Sequence, residues 1–188
     1  MAQTYTNNAG TVFAGVGRDY PMQMGIGRIG ELADISNSTT ISGNNETAAR
    51  ILFGIPVIRN GSGVLPNSCT PAVAASTILG ITYLTDVHEV SHRQAATPYQ
   101  EGIEPNRAVN ILKVGAIYLD CWETLAPGNN LRYFKSGANA GRWGKTASAG
   151  NSLLFSAGGW EIERPANAAG GLAIVRFNTP AALVVTAD

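Results

Sequence analysis

The sequence predicts an all-β protein with a β-sandwich or jelly-roll-like body, an extended N-terminal arm and at most short helices. From residue 49 onward, short apolar or alternating runs are separated by glycine, proline and asparagine about every ten residues, a pattern typical of sandwiches and barrels. Over residues 1–48 helical spacing of apolar residues is never sustained. The 188 residues suffice for one ordinary domain. We therefore divide the chain into an arm, residues 1–48, and a body, residues 49–188.

The arm contains many glycine, asparagine, serine and threonine residues with scattered large apolar side chains. Its stretch ELADISNSTTISGNNETA (31–48) is polar and rich in turn formers, which predicts the tip of the arm or a loop before the body. An arm without a core of its own is expected to pack on something else. The candidate contacts with a partner are Phe13, Arg18, Tyr20, Met22, Met24 and Arg28. Packing within the chain is the alternative for each of them.

The body contains a series of candidate strands, each followed by turn-forming residues. They are residues 50–58, 78–85, 108–113, 116–121, 130–134, 152–155, 159–163, 172–177 and 181–185. Two of these runs meet at Gly115, which fits either a tight hairpin or a bulge. The alanine-rich segment CTPAVAASTILG (69–80) predicts a short helix after Pro71.

The charge composition excludes several classes of partner. Only 14% of the residues are charged, and 13 basic residues balance 13 acidic ones, so no net field attracts nucleic acid or an anionic membrane. No run of 18 apolar residues and no signal-peptide pattern occurs, so we expect neither a membrane span nor standard secretion. We expect copies of the chain or partners to cover much of a surface this poor in charge.

The two cysteines, Cys69 and Cys121, lie 52 positions apart and have no CxxC spacing. They therefore match neither a zinc knuckle nor a redox pair. We predict two buried thiols rather than a disulfide.

One segment of the sequence matches a catalytic motif. Residues 88–92 (HEVSH) fit the zinc protease pattern HExxH. In that pattern His88 and His92 would bind the metal and Glu89 would act as the general base. These are the only two histidines, so the third ligand would have to be a carboxylate such as Glu101, Glu104 or Glu123. The motif also follows a β-branched run and is soon interrupted, which favours a polar surface loop over a helix.

The aromatic residues allow a second binding hypothesis. Exposed rings can stack on sugars, so a carbohydrate-binding face is one interpretation, and core packing is the other. The rings concerned are Trp122, Trp143, Trp160, Tyr133 and Phe134.

A succession of apolar runs with glycines extends through the body, at residues 49–57 (ARILFGIPV), 78–82 (ILGIT) and 109–119 (VNILKVGAIYL), and in the closing runs 160–162 (WEI) and 170–177 (GGLAIVRF). In this succession the body resembles the structural cement proteins of tailed phages. The resemblance spans roughly residues 49–178, so the arm lies largely outside it, and the HExxH segment departs from the family pattern.

This resemblance implies a capsid decoration protein without enzymatic activity or cofactor. Its implied partners are the major capsid protein and further copies of itself, as a dimer or trimer. It implies a place on the outer surface of the virion capsid, over joints between shell subunits, after synthesis in the host cytoplasm. A carbohydrate-binding module on a phage surface and a zinc hydrolase are the competing hypotheses.

Overall fold

The computed structural model describes residues 4–6, 12–14, 27–74, 76–85, 102–155, 158–167, 169–178 and 184–187. Across these residues the regular secondary structure is entirely β, which confirms the predicted fold class. No helix in the described residues is long and apolar enough to cross a membrane.

The strands of the N-terminal half are β1 (Thr4–Thr6), β2 (Val12–Ala14), β3 (Leu32–Asn45), β4 (Ile51–Leu52), β5 (Pro56–Arg59), β6 (Ser68–Pro71), β7 (Ser76–Thr77) and β8 (Gly80–Thr82). Those of the C-terminal half are β9 (Gly102–Ile103), β10 (Ala108–Asp120), β11 (Arg132–Phe134), β12 (Trp143–Gly144), β13 (Ser152–Phe155), β14 (Trp160–Arg164), β15 (Leu172–Phe177) and β16 (Val184–Ala187). Every candidate strand of the body overlaps at least one of these elements.

The larger sheet contains seven strands in the order β14-β15-β10-β3-β6-β5-β8. Strand β8 also pairs with β10, so β10, β3, β6, β5 and β8 form a closed ring of paired strands. The ring closes at Ile111 of β10, which lies opposite Ile41 of β3 on one side and Thr82 of β8 on the other. The C-terminal half of β10 leaves β8 and pairs with β15 instead.

A bulge around Gly115 lies where β10 changes partners, from β8 in its first half to β15 in its second half. The register against β3 shifts between Leu112 and Val114 and again between Val114 and Ala116. Gly115 has φ +135°, and a Cβ there would lie 3.1 Å from Cδ1 of Leu112 and 3.2 Å from Cβ of Ser38. Glycine therefore suits the bulge, which bends the strand and increases its twist. Of the two predictions for Gly115, the bulge is confirmed and the hairpin is wrong.

The second sheet contains five strands in the order β12-β11-β13-β16-β7 and shares a core with the first. The ring of Trp143 on β12 lies 5.0 Å from that of Phe155 on β13 and 6.4 Å from that of Phe177 on β15. These three side chains are almost fully buried. The aromatic cluster joins the two sheets and makes the body sandwich-like.

Two local predictions are wrong. Residues 69–74 and 76–80 contain no helix, because Cys69 and Thr70 pair with β5 and the backbone N–H of Ala72 donates to the carbonyl of Pro56. The loop predicted over residues 31–48 is a strand over Leu32–Asn45, because it pairs along β10. The boundary at residue 48 stays a prediction as a division into domains, although β3 itself lies within the seven-stranded sheet.

The prediction of two buried thiols is confirmed. Cys69 and Cys121 are both free and fully buried. Burial raises the pKa of the Cys69 thiol to about 11 and that of Cys121 to about 12. Both groups are therefore protonated at neutral pH and unreactive as nucleophiles.

Candidate functional site

The predicted partner contacts of the arm are mostly outside the described residues. Arg18, Tyr20, Met22 and Met24 fall there entirely. Phe13 lies in β2, opposite Tyr5 of β1, but its side chain is not described. Arg28 is exposed in the turn before β3, where its backbone N–H donates to Oε2 of Glu31 over 2.8 Å. The role of all six residues as contacts stays a prediction.

The HExxH segment, with His88, Glu89 and His92, also lies outside the described residues. Where the structure does describe the chain, no group of three His, Cys, Asp or Glu side chains is arranged to hold a metal ion. Two of the carboxylates that might have completed a zinc site are occupied otherwise. Glu104 pairs with Arg50, and Glu123 accepts hydrogen bonds from the backbone N–H groups of Lys145 and Thr146.

The aromatic residues do not form one exposed face. Trp143, Tyr133 and Phe134 are buried, and their rings pack within the body. Trp122 and Trp160 are half-buried. For the three buried rings the core-packing interpretation is therefore confirmed, and they are not available to stack on a sugar.

Several charged side chains of the body form ion pairs within the chain. The ion pairs are Arg50 with Glu104, Arg142 with Asp120, and Arg176 with both Asp34 and Glu163. Burial acts to raise the pKa of Glu123, but hydrogen bonds from Thr146 and Lys145 outweigh it and hold that pKa below its ordinary value. The charges paired within the chain are less available for strong electrostatic contacts with a partner.

The most exposed apolar side chains lie before and after strand β6. Among the described residues, the large hydrophobic side chains that are exposed are Val64 (90%), Val73 (57%) and Leu65 (50%). Val64 and Leu65 are neighbours in the loop between β5 and β6, residues 60–67, which we call the β5–β6 loop. Val73 lies beyond the far end of β6.

Hydrogen bonds hold the β5–β6 loop in one conformation. The carboxylate of Glu46 accepts from the backbone N–H of Val64 over 3.2 Å and from that of Leu65 over 3.0 Å. The base of the loop is closed by the N–H of Asn60, which donates to the carbonyl of Ser68 over 2.9 Å. The side chains of Asn44 and Asn67 join the loop to β3, through the carbonyls of Pro66 and Ser42 respectively.

A family model described as "Structural cement protein (E217 gp24/Pam3 gp6)" matches residues 16–178 of the chain. The match includes every strand from β3 through β15. The chain belongs to the phage structural cement protein family. No match is found among curated proteins.

Membership of the cement family makes this chain a structural protein of the phage virion, with a place on the capsid and a capsid protein as its partner. It indicates a structural role rather than a catalytic one. The match also extends the resemblance recognised over residues 49–178, since it begins at residue 16 and so includes most of the predicted arm. The HExxH segment lies within the matched range as well.

The β5–β6 loop was not among the sites predicted for this cement-family chain. Its signal in the sequence is the run NGSGVLPN (60–67), an apolar pair in an otherwise turn-forming, uncharged segment. No strand was predicted at Ser68–Pro71, where the structure has β6. Residues 60–67 were therefore not recognised as a loop that connects two strands.

Proposed function

We propose that this protein binds the outer surface of the assembled phage head and stabilises the joints between subunits of the major capsid protein. The observation that carries the proposal is the family match over residues 16–178. The rest of the mechanism follows from general thermodynamics. A protein that binds the assembled shell but not free subunits adds its binding free energy to the stability of the shell.

The charge distribution and fold of the body support this role. A surface of low charge has little to desolvate when it is covered, and three arginine residues of the body, Arg50, Arg142 and Arg176, form internal ion pairs. A rigid two-sheet body loses little conformational entropy on docking. Many equal copies on one shell would then turn a modest contact into a large stabilisation.

We further propose that the arm adds contacts through Phe13, Tyr20, Met22 and Met24, with Arg18 and Arg28 donating hydrogen bonds to shell carboxylates or carbonyls. The building unit in this proposal is a homodimer or homotrimer, made in the host cytoplasm before it reaches the shell. Sedimentation equilibrium of the purified protein measures that state directly. A monomer at all concentrations would contradict it.

Co-sedimentation with undecorated phage shells tests the proposed function. We expect saturable binding to expanded shells and weaker binding to unexpanded ones, because the joints differ between the two states. Absence of binding to either kind of shell would overturn the proposal.

A truncated variant lacking residues 2–26 tests the arm in the same assay. The deletion ends before Leu32 because β3 pairs with β10 in the larger sheet, and removing it would disrupt the body. Weaker binding by this variant supports arm contacts. Unchanged binding keeps the cement role and assigns the contact to residues 27–188.

A further inference from the structure

We infer that the β5–β6 loop is a contact through which this protein docks on the capsid shell, with Val64 and Leu65 entering an uncharged, apolar recess of a shell subunit. The inference rests on the proposed function and names one surface that performs it. It starts from the exposure of the two side chains, 90% for Val64 and 50% for Leu65. Single exposed apolar residues are common, so further observations are needed to distinguish this pair.

The first further observation is the set of hydrogen bonds that order the loop. Glu46 accepts hydrogen bonds from the two consecutive N–H groups that carry Val64 and Leu65. The N–H of Ser62 donates to Oδ1 of Asn60, and that of Ser68 donates to the carbonyl of Leu65. Pro66 adds a fixed φ angle. An apolar tip that is already ordered loses little entropy when a partner covers it.

The second observation is the absence of charge on the loop. Residues 60–67 contain no Asp, Glu, Lys or Arg, and both oxygens of the adjacent Glu46 carboxylate already accept hydrogen bonds from the loop. A charged partner surface that covered the tip, Val64 and Leu65, would be desolvated there without compensation. The matching surface is therefore uncharged and apolar, with room for two aliphatic side chains.

The size of the tip decides between occupants. A standard protein interface buries roughly 800 Å² on each partner, much more than two aliphatic side chains offer. The loop is too small to hold two free copies of the chain together. It can contribute to docking on a shell, where other parts of the same molecule also bind and many copies act together.

The test is a shell-binding titration of the full-length protein with expanded, undecorated shells. The variant Val64→Ser/Leu65→Ser removes the apolar tip and leaves the backbone hydrogen bonds. We expect its half-saturation concentration to rise by about 10-fold or more, from the lost apolar burial. Val73→Ser is the matched control, because it removes a comparably exposed apolar side chain outside the loop.

The outcomes separate this inference from the proposed function. Wild-type binding with a weakened double variant and an unchanged Val73→Ser variant supports the loop as a contact. Wild-type binding with an unchanged double variant, or equal weakening by Val73→Ser, overturns the inference and leaves the cement role intact. If the wild-type protein binds no shell, the proposed function fails and the inference fails with it.

Glu46 is a positioning residue in this account, and Glu46→Gln tests it. The amide keeps the size of the side chain but has one acceptor oxygen in place of two, so only one of the two backbone N–H groups keeps its partner, and that hydrogen bond is weaker without the charge. We expect faster amide hydrogen exchange at Val64 and Leu65 and a several-fold rise in the half-saturation concentration. Faster exchange with unchanged binding would contradict the need for an ordered loop.

Discussion

At the scale of single residues, the tryptophans Trp122 and Trp143 both have a buried indole N–H group but differ in its hydrogen bonding. The backbone N–H of Trp122 donates to the carbonyl of Trp143 over 3.0 Å, so the two are close neighbours. The Nε1–H of Trp143 donates to the carbonyl of Gly54 over 2.7 Å. The Nε1 of Trp122 is also buried but has no hydrogen-bond partner among the described residues. The same indole group therefore stabilises the fold at one position and is an uncompensated polar group at the other.

Substitution by phenylalanine should separate these two cases. We expect Trp143→Phe to lower the free energy of unfolding by about 2–4 kcal/mol, because it opens a cavity and leaves the Gly54 carbonyl unpaired. We expect Trp122→Phe to cost about 1 kcal/mol or less, because the donor it removes is unsatisfied. Urea unfolding followed by circular dichroism measures both. Equal costs for the two variants would contradict this account of their N–H groups.

At the scale of elements, the closed ring depends on how closely β8 can approach β10. Gly80 begins β8, and a Cβ at this position would lie 2.2 Å from the carbonyl oxygen of Leu112. The obstruction would be backbone rather than the end of a flexible side chain, so either β8 or β10 would have to move. Gly80 therefore permits the pairing of Ile81 and Thr82 with β10 that closes the ring.

Gly80→Ala should consequently destabilise the protein. We expect the free energy of unfolding to fall by about 1–3 kcal/mol, the usual cost of overpacking. The matched control is Gly61→Ala, because a Cβ at Gly61 meets nothing within 4 Å. That control should change stability by less than about 0.5 kcal/mol. Comparable losses for both variants in urea unfolding would mean that the closure of the ring is not the cause.

At the scale of the whole molecule, the charge pattern determines how the protein can bind. Thirteen basic and thirteen acidic residues cancel, and ion pairs within the body engage several of them. The exposed apolar tip of the β5–β6 loop carries no charge. Salt screens interactions between charges and has little effect on apolar burial.

Shell binding should therefore depend little on ionic strength. Between about 0.05 M and about 0.5 M NaCl we expect the half-saturation concentration for expanded shells to change by less than about 2-fold. The titration can be repeated with the variant lacking residues 2–26. A steep loss of affinity with salt in the wild type, absent from the truncated variant, would assign the binding to charged groups within residues 2–26, such as Arg18.

The sequence by itself determined the fold class, the longer strands of the body from β10 onward, the state of the two thiols and the family. Each depends on local information, because alternating apolar residues, turn formers and cysteine spacing report on short stretches of chain. The runs on either side of Gly115 were recognisable for this reason, and so was the possibility of a bulge between them.

Only the tertiary structure decided the features that depend on distant partners. Leu32–Asn45 contains few apolar residues and many turn formers, yet it is a strand because β10 supplies its hydrogen-bond partners. The alanine-rich segment after Cys69 is not helical because β5 pairs with its first residues. Exposure of Val64 and burial of Trp143 were equally beyond local patterns, since a side chain is buried or exposed according to what the rest of the chain packs against it.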